Sequence, residues 1–73
     1  MVTTFGIVGS GWRSEFFARI ARTVPGALRV AGVVTRSAGR AERIETDWGV
    51  SAFTSVDDLL AHESPDFVIV SVP

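Results

Sequence analysis

The stretch GIVGSGWRSEFFARI, Gly6 to Ile20, joins the end of an apolar run to the start of an amphipathic one. Thr3 to Val8 (TTFGIV) reads as a short buried strand. From Trp12 to Thr23 the residues Phe16, Phe17, Ile20, Ala21 and, just beyond, Val24 recur at helical spacing, with Arg13, Glu15, Arg19 and Arg22 opposite. That spacing predicts a helix with the apolar residues as its inner face. Gly9 and Gly11 sit at the junction. Gly9 permits a tight turn, and Gly11, without a Cβ, lets the backbone approach a pyrophosphate. The N–H groups of Trp12, Arg13 and Ser14 would face that anion at the positive end of the helix dipole. Ser10 completes the turn. The third glycine of G-x-G-x-x-G is replaced by Ser14, which is one hydroxyl larger than the alanine accepted there. That hydroxyl can bond back to a helix carbonyl, and the residue is small enough for the turn to survive. Two glycines that merely form a turn would imply no ligand; their place between strand and helix favours one.

Outward from this turn the pattern repeats. Pro25-Gly26 stops the first helix, and Leu28 to Val34 (LRVAGVV) is a second strand. A second helix is expected over Ala38 to Trp48, with Ala41, Ile44 and Trp48 inside and Gly49 ending it. Val50 to Phe53 reads as a third strand, and Ser55 heads a short helix, Val56 to His62, with Asp58 at the capping-box position. Phe67 to Val72 (FVIVSV) is a fourth strand, apolar enough for burial on both faces. Alternating strands and helices require right-handed crossovers and a parallel sheet. The fold class is therefore α/β, the N-terminal portion of a doubly wound parallel sheet with strand order 3-2-1-4. Residues 1–73 are expected to be a partial dinucleotide-binding domain, with the rest of that domain and a substrate domain beyond it. The fourth strand would otherwise be a bare apolar edge.

Composition narrows the function. The 73 residues are 47% hydrophobic and 21% charged with a net charge of −1, which gives a nucleic-acid partner little electrostatic support. All seven basic residues are arginine, so no lysine base or Schiff-base nucleophile is present, and the absence of cysteine excludes disulfides and thiolate metal sites. No run approaches the ~20 apolar residues of a membrane span, and the N-terminus lacks a signal-peptide pattern, so a cytoplasmic protein without a membrane partner is expected. Asp57-Asp58 reads as a helix-start charge pair, not a metal site, and His62 as a solvated loop histidine.

The end of the second strand selects the ligand. NAD, FAD and S-adenosylmethionine sites usually carry an acid there to hold ribose hydroxyls, but this end reads Val33-Val34-Thr35-Arg36-Ser37, with no acid between Glu15 and Glu42. A 2′-phosphate needs the opposite, a guanidinium and small hydroxyls. Thr35, Arg36 and Ser37 are therefore expected to bind the adenosine end, with Arg40 and Arg43 adding positive field. NADP is preferred, with NAD as the other choice. An exposed loop arginine at a helix start is the competing reading of Arg36. Trp12 either walls the nicotinamide or pyrophosphate or covers the helix start.

These blocks together resemble the N-terminal domain of the Gfo/Idh/MocA family, the glucose-fructose oxidoreductase and inositol dehydrogenase type. The resemblance rests on GIVGSGW, VVTRS, RAERIETDWGV and SVDDLLAHESPDFVIVSVP, which span essentially the whole chain in the family's order. It implies a Rossmann domain of an NAD(P)-dependent oxidoreductase acting on a hydroxyl carbon of a sugar, polyol or related compound. It also implies that Ser71, Val72 and Pro73 match a turn passing the nicotinamide ribose. The family's catalytic lysine segment lies beyond residue 73, so no catalytic residue is expected here and the segment alone is not expected to be active. The full-length protein is expected to take a small sugar- or polyol-like substrate and to form a homo-oligomer. A non-catalytic dinucleotide sensor or scaffold is the alternative, and an S-adenosylmethionine methyltransferase a weaker one.

Overall fold

The computed structural model describes residues 2–71. In chain order it contains β1 (Thr3–Val8), α1 (Trp12–Thr23), β2 (Leu28–Val34), α2 (Ala38–Trp48), β3 (Ala52–Phe53), α3 (Val56–His62) and β4 (Phe67–Val70). The four strands form one parallel sheet in the order β3-β2-β1-β4, the doubly wound order expected from the sequence. β3 begins two residues later than expected, at Ala52, and the described part of β4 ends at Val70.

The sheet buries both faces. On one, Phe5 and Ile7 of β1 and Val30 and Val33 of β2 pack with Ala18 and Ala21 of α1 and Ile44 and Trp48 of α2. On the other, Ala31 and Val34 meet Leu59 of α3. The second face is shallow because two adjacent strands carry glycine there. A Cβ on Gly6 would lie 2.7 Å from Leu59 Cδ2, and one on Gly32 would lie 2.5 Å from Phe53 Cε2 and 2.8 Å from Leu59 Cδ1. Glycine at both positions lets α3 settle directly on the strand backbones.

β1 and β2 are not in simple register. Phe5 pairs with Val30 but Gly6 pairs with Gly32, so Ala31 is an extra residue in β2. This bulge places two consecutive residues, Ala31 and Gly32, towards α3.

The inner face of α1 differs in part from the expected one. Ser14, Ala18 and Ala21 are its buried residues, whereas Phe16, Ile20 and Val24 are 55%, 39% and 42% exposed. The physical reason is size: the three small side chains also share a helical face, and they allow the helix to lie close over β1 and β2. Phe16, Ile20 and Val24 turn outward as a row with Trp12, while Phe17 packs half-buried against the core and Ala21 faces it, both as expected. β4 is the apolar edge strand expected of these residues taken alone. Phe67 stacks on Phe5 with ring centroids 5.5 Å apart, yet Phe67 and Val70 are exposed, because β4 pairs only with β1 among the described residues. Asp66 joins these two strands at their start: its Oδ2 accepts from Thr4 N–H and its own N–H donates to Thr4 O, both at 2.8 Å.

Helix ends follow their sequence signals. Ser37 Oγ accepts from Arg40 N–H and Ser55 Oγ from Asp58 N–H, at 3.2 and 3.0 Å. Gly49 closes α2 in the left-handed region, with φ 68°.

Candidate functional site

All four strands end on the same side, and their ends enclose a cleft of about 820 Å³. β1 contributes Val8 and the turn Gly9-Ser10-Gly11. β2 contributes Val34 and then Thr35 and Arg36, α2 contributes Arg40, and Thr54 and Ser71 follow β3 and β4. In a doubly wound sheet this is the carboxyl end of the strands at the switch point, where strand order reverses between β1 and β4. Backbone bonds lock the floor: Gly9 N–H donates to Val34 O at 2.9 Å, and Ser71 N–H to Val8 O at 2.8 Å.

The two glycines do different jobs. Gly9 has φ 119°, a conformation side chains rarely adopt, so the turn itself demands glycine. Gly11 has an ordinary φ of −79°, and a Cβ built there would meet nothing within 4 Å. Neither conformation nor packing requires glycine at position 11. The open space is what a close-approaching ligand would use. Gly11 is also the N-cap of α1, and it supplies no side-chain cap to the first helical N–H groups. An uncapped helix start beside an open Cα has the chemistry of an anion cradle.

A second cleft, of about 510 Å³, opens on the α1 side between Gly11, Trp12, Arg13 and Phe17 and the β4 residues Ile69 and Val70, and it shares Gly11 and Ser71 with the first. The two lobes meeting at the glycine turn suit a two-ended ligand. Trp12 is 74% exposed, with the Arg13 guanidinium 5.5 Å from its ring centroid, so it stands out into solvent and does not cover the helix start. A third cleft, of about 580 Å³, lies at the opposite ends of the strands around Pro25, Leu28 and Trp48, away from the turn.

The residues after β2 divide their work. Thr35 is buried, and its Oγ1 donates to Ser10 Oγ at 3.4 Å, a long bond that ties β2 to the turn. Ser37 Oγ is engaged as the cap of α2. Arg40 Nη2 donates to Ser10 O at 2.7 Å. Arg36 is exposed at the cleft and makes no side-chain hydrogen bond among the described residues, so its guanidinium is available. The lining holds two arginines and no carboxylate. Its chemistry therefore fits the phosphates of a dinucleotide.

Gly9, Ser10, Gly11, Thr35, Arg36, Arg40 and Ser71 thus share one cleft and Trp12 and Arg13 its neighbour, while Ser37 stands beside them as a cap. Val72 and Pro73 lie outside the described residues. Thr54 was missed by the sequence reading; its one signal is its place just after β3, at the carboxyl edge of the sheet. One option open to the sequence is not taken up. Ser14 is fully buried, and its Oγ finds no hydrogen-bond partner among the described residues, so it does not bond back to a helix carbonyl. The Ser14 side chain lies in the contact between α1 and the sheet, where packing dictates its direction. Among the described residues, no helix is long and apolar enough to cross a membrane.

Comparison with known proteins agrees with this geometry. No curated protein sequence matches the chain. Among solved structures, UDP-N-acetylglucosamine 3-dehydrogenase GnnA from Acidithiobacillus ferrooxidans is 30% identical with a TM-score of 0.76. The WlbA dehydrogenase from Bordetella pertussis, solved with NADH and UDP-GlcNAcA, is 20% identical with a TM-score of 0.85. The myo-inositol 2-dehydrogenase from Lactobacillus plantarum is 19% identical with a TM-score of 0.79. The latter two show the fold alone. Each match covers 100% of this chain, which spans 22% of the length of each of those proteins. The family model described as "Oxidoreductase family, NAD-binding Rossmann fold" (GFO_IDH_MocA) matches residues 3–73, and the chain belongs to that Gfo/Idh/MocA family.

Proposed function

We propose that this chain is the cofactor-binding part of an NAD(P)-dependent oxidoreductase that prefers NADP and acts on a hydroxyl carbon of a sugar, polyol or related compound. The observation that carries the cofactor reading is the pairing of an uncapped, open glycine turn with a β2 end that presents Arg36 and no carboxylate. Bound there, a nicotinamide dinucleotide would supply the hydride chemistry, and the protein would supply placement and field. Gly9, Ser10, Gly11 and the helix start, with Trp12 and Arg13, hold the pyrophosphate. Arg36 faces the 2′-phosphate, and Thr35 and Ser37 set the β2 end that carries it. Ser71 lies where the lobes meet, towards the nicotinamide side, with Val72 and Pro73 following it in the chain. The sugar or polyol class is supported by family membership and by relatives named as dehydrogenases of a sugar nucleotide and of inositol. The catalytic groups and the substrate pocket are supplied by chain outside residues 1–73.

Titration of the complete polypeptide with NADPH and NADH tests this reading. Tighter binding of NADPH is expected. Arg36→Ala should lower NADPH affinity by about tenfold, the scale of one charge-assisted contact, and leave NADH nearly unchanged. Equal affinity for the two cofactors in the wild-type protein would overturn the 2′-phosphate assignment.

A further inference from the structure

The turn that forms the anion cradle is built from the least constrained backbone available. Ser10 lies between Gly9 and Gly11, and glycine visits many backbone conformations at similar energy. The Ser10–Gly11 peptide unit is flanked by Ser10 ψ and Gly11 φ, and the glycine flank lets it turn with little steric resistance. Because the unit is planar, the direction of the Ser10 carbonyl also fixes the direction of the Gly11 N–H. Whatever holds that carbonyl therefore aims the cradle.

The group that holds it comes from 30 residues away. Arg40 Nη2 donates to Ser10 O at 2.7 Å, a short charge-assisted bond. The Arg40 backbone is itself fixed, since its N–H donates to Ser37 Oγ in the cap of α2. The other side-chain tie to Ser10, from Thr35 Oγ1, is 3.4 Å long and weaker. Arg40 thus spans from the first turn of α2 to the glycine turn.

We propose that Arg40 is a positioning residue that latches the Ser10–Gly11 peptide plane and so pre-orients the pyrophosphate cradle, acting through the turn and not on the 2′-phosphate. The inference rests on the reading of the turn as a pyrophosphate site, and it separates the two arginines of the cleft. Arg36 discriminates between cofactors. Arg40 serves the part that NADPH and NADH share.

The test is Arg40→Gln in the complete polypeptide, with two readouts. Affinities for NADPH and NADH should both fall, by about fivefold each, so that their ratio stays within about twofold of wild type. In the ligand-free protein, NMR relaxation dispersion at the Gly11 and Trp12 amides should rise in the variant as the released peptide plane samples a second orientation, while amides of β1 and β2 stay unchanged. Arg40→Lys, which keeps a cationic donor, should recover part of both effects. A loss confined to NADPH would make Arg40 a phosphate ligand and overturn the proposal, as would unchanged relaxation dispersion and chemical shift at the Gly11 amide. If the wild-type protein binds neither cofactor, the site reading fails by itself, and relaxation dispersion at the Gly11 amide still decides the latch.

Discussion

Gly32→Ala is the most exacting probe of how the site is supported. The new methyl would lie 2.5 Å from Phe53 Cε2 and 2.8 Å from Leu59 Cδ1, well inside van der Waals contact. Both neighbours must retreat, and Leu59 is fully buried. Overpacking of this kind costs about 1–3 kcal/mol. Restricting the unfolded chain returns about 0.4–1 kcal/mol, so a net loss of about 1–2 kcal/mol is expected. Gly6→Ala meets only one close atom, Leu59 Cδ2 at 2.7 Å, the far end of a flexible side chain. Its cost should be smaller, about 0.5 kcal/mol.

Urea denaturation of the complete polypeptide would measure both, with midpoints compared at unchanged slope. In a Leu59→Ala background the Gly6→Ala cost should vanish, whereas the Gly32→Ala cost should persist because the Phe53 ring remains. The effect should also reach the cleft, because Thr35 N–H donates to Phe53 O at 2.9 Å and Thr54 follows Phe53. Dinucleotide affinity should therefore fall in Gly32→Ala more than in Gly6→Ala. The reasoning would be refuted if Gly6→Ala cost as much as Gly32→Ala, or if Leu59→Ala relieved both equally.

Variants at two further positions address single side chains. Ser14→Ala removes a buried hydroxyl that has no partner among the described residues, and it should stabilise the protein by about 1 kcal/mol, read as a higher denaturation midpoint with cofactor affinity retained. Ser37→Ala should cost about 1 kcal/mol through loss of the α2 cap, whereas Ser37→Asp should keep the cap and weaken NADPH binding by placing a carboxylate beside the 2′-phosphate; calorimetric unfolding and titration separate the two effects.

The order of elements and the parallel sheet were readable from the chain because each depends on local signals. Ser37, Ser55 and Gly49 mark helix ends by their own chemistry, and β1, α1, β2, α2 and α3 begin and end where pattern and caps predict. The glycine turn was legible for the same reason. The inner face of α1 was only partly so. Hydrophobic periodicity weights bulky residues, and it points to Phe16 and Ile20 as well as to Phe17 and Ala21, which do face the core; close packing added Ser14 and Ala18 and turned Phe16 and Ile20 out. The bond from Arg40 to Ser10 was hidden for another reason: the two residues are distant in sequence, and only the crossover through β2 brings them together. A charge near a predicted phosphate site reads as a ligand until its own hydrogen bond is seen.

The bulge at Ala31 makes β2 a strand that changes its phase midway. Before it, Leu28 and Val30 serve the α1–α2 core, and after it Val33 resumes that duty three positions on, not two. A strict even–odd count carried from the start of β2 would therefore assign the wrong side of the sheet to everything from Gly32 onward, including the exit towards Thr35 and Arg36. Sequence alignments and grafting designs that transfer this cofactor-selecting corner must carry the odd residue with it. Without that residue, an arginine matched by identity would leave the strand on the opposite face from the turn it serves.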